Sequence, residues 1–201
     1  MFTGIVQSIG EVRALTRLGD SEGGDVEFVF AAPGLDLTSV AIGDSISVGG
    51  CCLTVTRLDA DSFAADASVE TLNVTTLGQW RAGQRVNFEK ALFAGQPLGG
   101  HYVTGHVDGV AKVTAAHSDA RSLRMEFELP AALARYVARK GSVCIDGVSL
   151  TVNEVAGARF TVNLIPHTLQ VTTLGELRTG AAVNVEVDII ARYLERLTTP
   201  V

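Results

Sequence analysis

Apolar and polar residues alternate along most of this chain with the period of two that sets one strand face in a core and the other in solvent. Ser45 to Gly49, Cys52 to Arg57 and Arg85 to Ala91 read this way, and the mostly apolar runs Val26 to Phe30 and Ser62 to Val69 read as further strands beside them. Between them, the Gly-, Asp- and Ser-rich runs Leu18 to Gly24 and Asp59 to Asp61 predict turns. Met1 to Val12, apolar and β-branched around Gly4 and Gly10, predicts a first strand interrupted by bends or bulges. Past the Gly- and Pro-bearing junction Phe93 to Gly100 the order returns, with strands from Tyr102 and Leu123, at Ser142 and Ser149, over Arg159 to Leu164 and over Ala182 to Asp188. Short connections, irregular or helical at Pro33 to Val40 and helical at Pro130 to Val137, complete each half. About six short strands per half predict a small closed barrel, since closure removes exposed strand edges.

The two halves are copies. Glu70 to Glu89, ETLNVTTLGQWRAGQRVNFE, returns 97 positions later as His167 to Glu186, HTLQVTTLGELRTGAAVNVE. Gly50-Cys51-Cys52-Leu53-Thr54-Val55 returns at the same spacing as Gly147-Val148-Ser149-Leu150-Thr151-Val152, and Thr3-Gly4-Ile5-Val6 returns, shifted by a short insertion, as Thr104-Gly105-His106-Val107. The predicted fold is all-β: tandem six-stranded, Greek-key-like barrels over 1–97 and 98–187. From Asp188, a helix N-cap, the period changes to that of a helix. Ile189, Ile190, Tyr193, Leu194 and Leu197 form one apolar stripe over 188–201, which covers either the protein's own barrel or copies of itself.

Composition narrows the partners. Hydrophobic residues make up 47% and charged residues 19% of 201, as in an ordered globular chain. A formal net charge of −6 without a Lys/Arg run argues against nucleic acid and against an anionic membrane surface, leaving a small molecule as the expected ligand. No apolar run nears the roughly 18–20 residues of a membrane span. Three cysteines, two of them adjacent, build no disulfide framework, and a reducing cytoplasm is the expected compartment.

Signatures for dinucleotides, nucleoside triphosphates and structural zinc are missing. His101 and His106 in GGHYVTGH sit five apart, on opposite faces of a strand, and do not predict a metal pair. More informative are the strand faces. Cys52, Thr54 and Thr56 share one face, and Ser149, Thr151 and Asn153 share its counterpart, while the alternate residues are apolar. Two equivalent hydroxyl-lined sites follow. The copies nevertheless differ at Phe2/Val103, Ile5/His106, Gly43/Lys140, Cys52/Ser149 and Glu70/His167. Identical ligands in identical roles need no such differences, so His106, Lys140, Cys52 and Asp188 become candidates for chemistry.

Met1-Phe2-Thr3-Gly4-Ile5-Val6-Gln7, Gly50 to Val55, Gly99-Gly100-His101 with Gly105-His106, Ile145 to Val152, and Leu164-Ile165-Pro166 with Thr168-Leu169 together resemble the riboflavin synthase family of the α-chain type, over nearly the whole chain. The resemblance implies a dismutation of two 6,7-dimethyl-8-ribityllumazine molecules by transfer of a four-carbon unit, without cofactor or metal. It implies a homotrimer assembled through the terminal helices, with each reaction centre between barrels of neighbouring subunits. It sets Cys52, Ser45 and Thr54 with one ligand, Ser149, Thr151 and Lys140 with the other, and Phe2, His106 and Asp188 near the reacting ends. Thr3, Gly4, Ile5, Val6, Gly50, Glu70 and Thr71, with Gly105, Gly147, Ile165, Pro166, His167 and Thr168, are implied to line the two ligands. A lumazine- or flavin-binding antenna protein is the main alternative; relatives of that kind lose polar residues from one half, whereas Cys52, His106, Lys140 and Ser149 all stand here. A flavin barrel of the ferredoxin-reductase type is disfavoured, because neither Arg135-Tyr136 nor Arg192-Tyr193 sits in its Arg-x-Tyr-Ser run.

Overall fold

The structure is a computed structural model and describes residues 1–19 and 23–199. Strands β1 (Ser8–Arg17), β2 (Val26–Ala31), β3 (Ser45–Val48), β4 (Cys51–Leu58), β5 (Ser62–Ala67) and β6 (Arg85–Lys90) close an antiparallel barrel in the order 1-2-5-4-3-6. Strands β7 (Gly109–Asp119), β8 (Ser122–Glu128), β9 (Ser142–Ile145), β10 (Val148–Ala156), β11 (Arg159–Leu164) and β12 (Ala182–Val187) close a second in the equivalent order. Register shifts recur at matching places, at Val12/Ala14 and Val113/Ala115 and again at Val55/Arg57 and Val152/Glu154. Such bulges add the local bend and twist that a small barrel needs to close.

Inward-facing residues fill each barrel. Phe30 lies 5.2 Å from Phe63 and 5.9 Å from Phe88 between ring centroids, with Trp80 edge-on to Phe28 and Phe30. The second core keeps one aromatic pair, Phe127 and Phe160 at 5.4 Å, and is otherwise aliphatic around Val113, Met125, Ile145 and Leu164. The repeat thus conserves shape while the two cores fill the same space differently.

Three parts of the chain differ from the expectation. Met1 to Gln7 is an arm, and the first strand begins at Ser8. The arm's amides are satisfied by the Glu89 carboxylate, which accepts from Thr3 N, Thr3 Oγ1 and Gly4 N, and Gly4 adopts φ 76°. Tyr102 to Asp108 is its counterpart, so β7 starts at Gly109. Within the repeated stretch, the alternation conceals two short helices, α1 (Val69–Val74) and α2 (Pro166–Val171), each followed by a 3₁₀ turn. Ser68 Oγ caps α1 by accepting from Thr71 N, and Thr75 and Thr172 cap the 3₁₀ turns. Pro33 to Val40 forms turns, while Ala131–Tyr136 is a 3₁₀ helix.

The barrels meet at a pseudo-symmetric seam. Asn87 donates to Asp146 O at 2.9 Å and accepts from Thr173 N at 2.8 Å, while Asn184 donates to Gly49 O at 2.8 Å and accepts from Thr76 N at 2.7 Å. Gly50 and Gly147 lie so close that a Cβ on Gly50 would stand 2.8 Å from Gly147 N. A cleft of about 440 Å³ opens beside this seam, lined among others by Trp80, Asn87, Asp146 and Thr173. Helix α3 (Ile189–Thr198) follows β12, capped by Asp188 Oδ1 accepting from Ile190 N.

Candidate functional site

The two arms cross over. Phe2 and Val103, equated by the internal repeat, are hydrogen-bonded to each other at 2.7 and 3.2 Å. Beyond that bridge, Gly4 O accepts from Ser149 N of the second barrel at 2.8 Å, and Gly105 O accepts from Cys52 N of the first at 2.9 Å. A Cβ on Gly4 would lie 2.6 Å from Ser149 Cβ, and one on Gly105 would lie 2.5 Å from Cys52 Cβ. Only glycine permits such a close approach, at φ 76° and 79° respectively. Glu186 holds the second arm as Glu89 holds the first, accepting from Thr104 N, Thr104 Oγ1 and Gly105 N at 2.7, 2.7 and 2.9 Å. Val6 packs on the second core and Val107 on the first.

This geometry brings together the repeat's polar residues in two sets. In the first, half-buried Cys52 and exposed Thr54 lie on the outer face of β4, with Ser45 and Ser47 paired to Thr54 and Cys52 across β3. Exposed His106 follows Gly105, and α1, which carries Glu70 and Thr71, leaves the neighbouring strand β5. In the second, half-buried Ser149 and exposed Thr151 lie on β10, with exposed Ile5 after Gly4. Ile165, Pro166, His167 and Thr168 begin α2 beyond β11. Lys140 N donates to Val152 O as Gly43 N donates to Val55 O, so Lys140 fills a glycine position and takes φ 67° there.

Not every candidate lies on these faces. Phe2 is fully buried with Val103 and Cys144, so its side chain anchors the arm crossing. Gly50 and Gly147 are buried at the seam and act there as spacers. Asp188 caps α3. Thr3 is buried against Glu89.

The electrostatics are set by burial. Desolvation pushes the Cys51 and Cys144 thiols far up, which leaves them inert, and raises Glu89 and Glu186 against the opposing pull of the arm amides. Asp146, mostly buried at the seam, is pushed up to about 7 by desolvation. It takes φ 45° where its counterpart in the first half is Gly49, at φ 54°.

His101 was missed as a site residue. It is 8% exposed, and its Nδ1 lies 2.7 Å from Ser149 Oγ. As the five-residue spacing in GGHYVTGH predicts, the two histidines do not converge: the arm sends His101 inward and leaves His106 exposed.

A family model described as the lumazine binding domain matches twice, over residues 3–91 and 104–188. Riboflavin synthase of Photobacterium phosphoreum is 45% identical over 197 residues, covering 98% of this chain and 88% of that protein. That of Mycobacterium tuberculosis is 43% identical over 201 residues, covering 98% of both chains. Among solved structures, LumP complexed with riboflavin superposes with a TM-score of 0.84 at 29% identity, covering 93% of this chain and 99% of that one. LumP complexed with 6,7-dimethyl-8-(1'-D-ribityl) lumazine gives 0.81 at 28%, with the same coverage. With two lumazine binding domains and near-complete alignment to these enzymes, the chain belongs to the riboflavin synthase family.

Proposed function

We propose that this chain is a riboflavin synthase, converting two molecules of 6,7-dimethyl-8-ribityllumazine into riboflavin and 5-amino-6-(ribitylamino)uracil. The observation that carries the reading is the pair of crossed, hydroxyl-bearing sites that keep polar residues in both halves but differ at Cys52/Ser149, Gly43/Lys140 and Ile5/His106. One compound in two chemical roles needs two such sites. The four-carbon unit leaves one lumazine and closes the new ring on the other, so atoms balance with no outside oxidant or reductant.

The 7-methyl of the lumazine is acidic because its carbanion delocalises into the ring. The protein's task is then to hold two planar molecules face to face and to move protons between them. Cys52, Ser45, Thr54, Glu70 and Thr71 attend the ligand on the first barrel, and Ser149, Thr151, Lys140, His167 and Thr168 the ligand on the second. His106 and Asp188 serve the reacting ends. The working units are 1–97 and 98–187 as ligand-binding barrels and the segment from 188 as an assembly helix, with residues 200 and 201 of that 188–201 unit outside the described residues.

A homotrimer with the reaction centre between neighbouring subunits fits the outward stripe of α3, where Ile190, Tyr193, Leu194 and Leu197 are 56–81% exposed. Its three free cysteines suit a reducing cytoplasm. Incubation with the lumazine tests the reading: riboflavin and the ribitylaminopyrimidinedione should appear in equal amounts. The structural likeness to LumP favours one second reading, a non-catalytic ligand carrier. Persistent lumazine fluorescence on the protein, with no riboflavin formed, would decide for it.

A further inference from the structure

His101 is held from several directions. Its N–H donates to Thr3 O at 3.1 Å, and a Cβ on the preceding Gly100 would stand 2.1 Å from Thr3 O and 2.8 Å from Ser149 Cβ. The ring is buried, with Nδ1 2.7 Å from Ser149 Oγ and Nε2 buried without a partner. A neutral imidazole has one N–H and one lone pair. With the proton on Nε2, a buried donor is orphaned; with the proton on Nδ1, Ser149 Oγ receives it and only a lone pair is left unpaired, the cheaper loss. Burial lowers the ring's pKa against the opposing charge of Asp188, which disfavours the doubly protonated form.

We infer that His101 is a positioning residue: it donates Nδ1–H to Ser149 Oγ and so turns the Ser149 proton outward, as a fixed donor to an acceptor atom of the ring bound on the second barrel. This rests on the reading of Ser149 as ligand-facing. No imidazole is hydrogen-bonded to Cys52, the equivalent position, among the described residues. The same compound therefore meets a fixed O–H donor on one barrel and an unfixed thiol on the other. A donor aimed at a carbonyl or ring nitrogen draws density from the heterocycle, so this single contact helps make two chemically identical ligands inequivalent.

Nitrogen-15 NMR of the histidine-labelled full-length chain reads the first half of the inference. His101 should show a protonated Nδ1 and an unprotonated Nε2 at neutral pH, and Ser149→Ala should shift that signature. Fluorescence titration with riboflavin and with 6,7-dimethyl-8-ribityllumazine reads the second half. His101→Phe, which keeps the ring but loses the bond, should weaken one of two site classes about tenfold and leave the other. His101→Asn, whose side-chain N–H falls near the place of Nδ1, should restore most of that loss, and His101→Phe should cost nothing further in a Ser149→Ala background. An Nε2–H tautomer, an unaltered titration in folded His101→Phe, equal weakening of both classes, or a loss that persists without Ser149 overturns the inference. Should His101→Phe not fold, the tautomer and its response to Ser149→Ala still decide. If the wild type binds neither compound, the functional reading fails and takes the ligand half of the inference with it. Intact wild-type binding with any of the contrary results sinks the inference alone.

Discussion

Two residues in the second barrel occupy backbone conformations that the first barrel reserves for glycine. Lys140 at φ 67° replaces Gly43, and Asp146 at φ 45° replaces Gly49. A side chain in the left-handed region costs roughly 1–2 kcal/mol. Strain of this size persists where something else requires the side chain. Lys140→Gly should therefore raise unfolding stability in urea by about 1 kcal/mol while lowering lumazine turnover. A variant that gains stability without losing activity would remove Lys140 from the site. Asp146 is a separate case, because its carboxyl is pushed from the ordinary 3.8 up to about 7. The folded chain then keeps a proton that the unfolded chain releases between those values. This contribution to stability is present below the lower value and is lost as pH rises through the upper one. Glu89 and Glu186, also raised, act in the same direction. Asp146→Asn tolerates the positive φ and keeps an acceptor for Asn184 N. It should be more stable than wild type by up to about 4 kcal/mol above this window and nearly equal below it, as read by urea unfolding on either side.

At the scale of elements, the arms do what the strands cannot. Each is strapped to its own barrel's last strand by one carboxylate and reaches across to the other barrel's candidate residue. Glu186→Gln keeps the size but presents an amide N–H₂ where a second acceptor stood, so Gly105 N loses its partner. A cost of about 2 kcal/mol is expected for a bond to a charged acceptor. Release of Gly105 should also loosen Cys52 and weaken riboflavin binding at one class of site more than at the other. Equal weakening at both classes, seen by fluorescence titration, would show that the crossing does not couple each arm to a single site. The crossing was invisible to the pattern of apolar positions, which read Met1 to Val12 as a strand. Alternation reports which side chains are buried, whereas the arm is defined by where its backbone amides find acceptors, and Glu89 lies 85 and 86 positions away. The helices α1 and α2 were hidden for a related reason: they are short, the hydroxyl that caps α1 also suits a strand face, and α2 has no side-chain cap to announce it.

For the whole molecule, α3 decides how the chain presents itself. Its polar side is clasped to the second barrel: Arg192 pairs with Asp108 and lies over the Tyr136 ring, and Glu195 pairs with Arg135 at 2.7 Å and accepts from Tyr136. The apolar stripe is thereby turned outward, with Leu197 81% exposed. A helix whose charged face is docked and whose apolar face is bare needs a partner surface. Truncation after Asp188 should give a folded monomer by light scattering, with most turnover lost; retained trimer mass would place assembly elsewhere.

The duplication, the all-β barrels, the polar strand faces holding Cys52 and Ser149, the amphipathic helix and the family were all legible in the order of residues. Periodicity and motif spacing are local, and a repeat carries them intact. Tertiary structure alone decided which arm covers which site, that Phe2, Gly50 and Gly147 lie buried at crossings and seams, which way the α3 stripe faces, and that His101 stands beside Ser149. Each of these depends on backbone and side-chain partners far apart in the chain, and hydrophobic patterning records the burial of a residue but not the identity of what it is buried against.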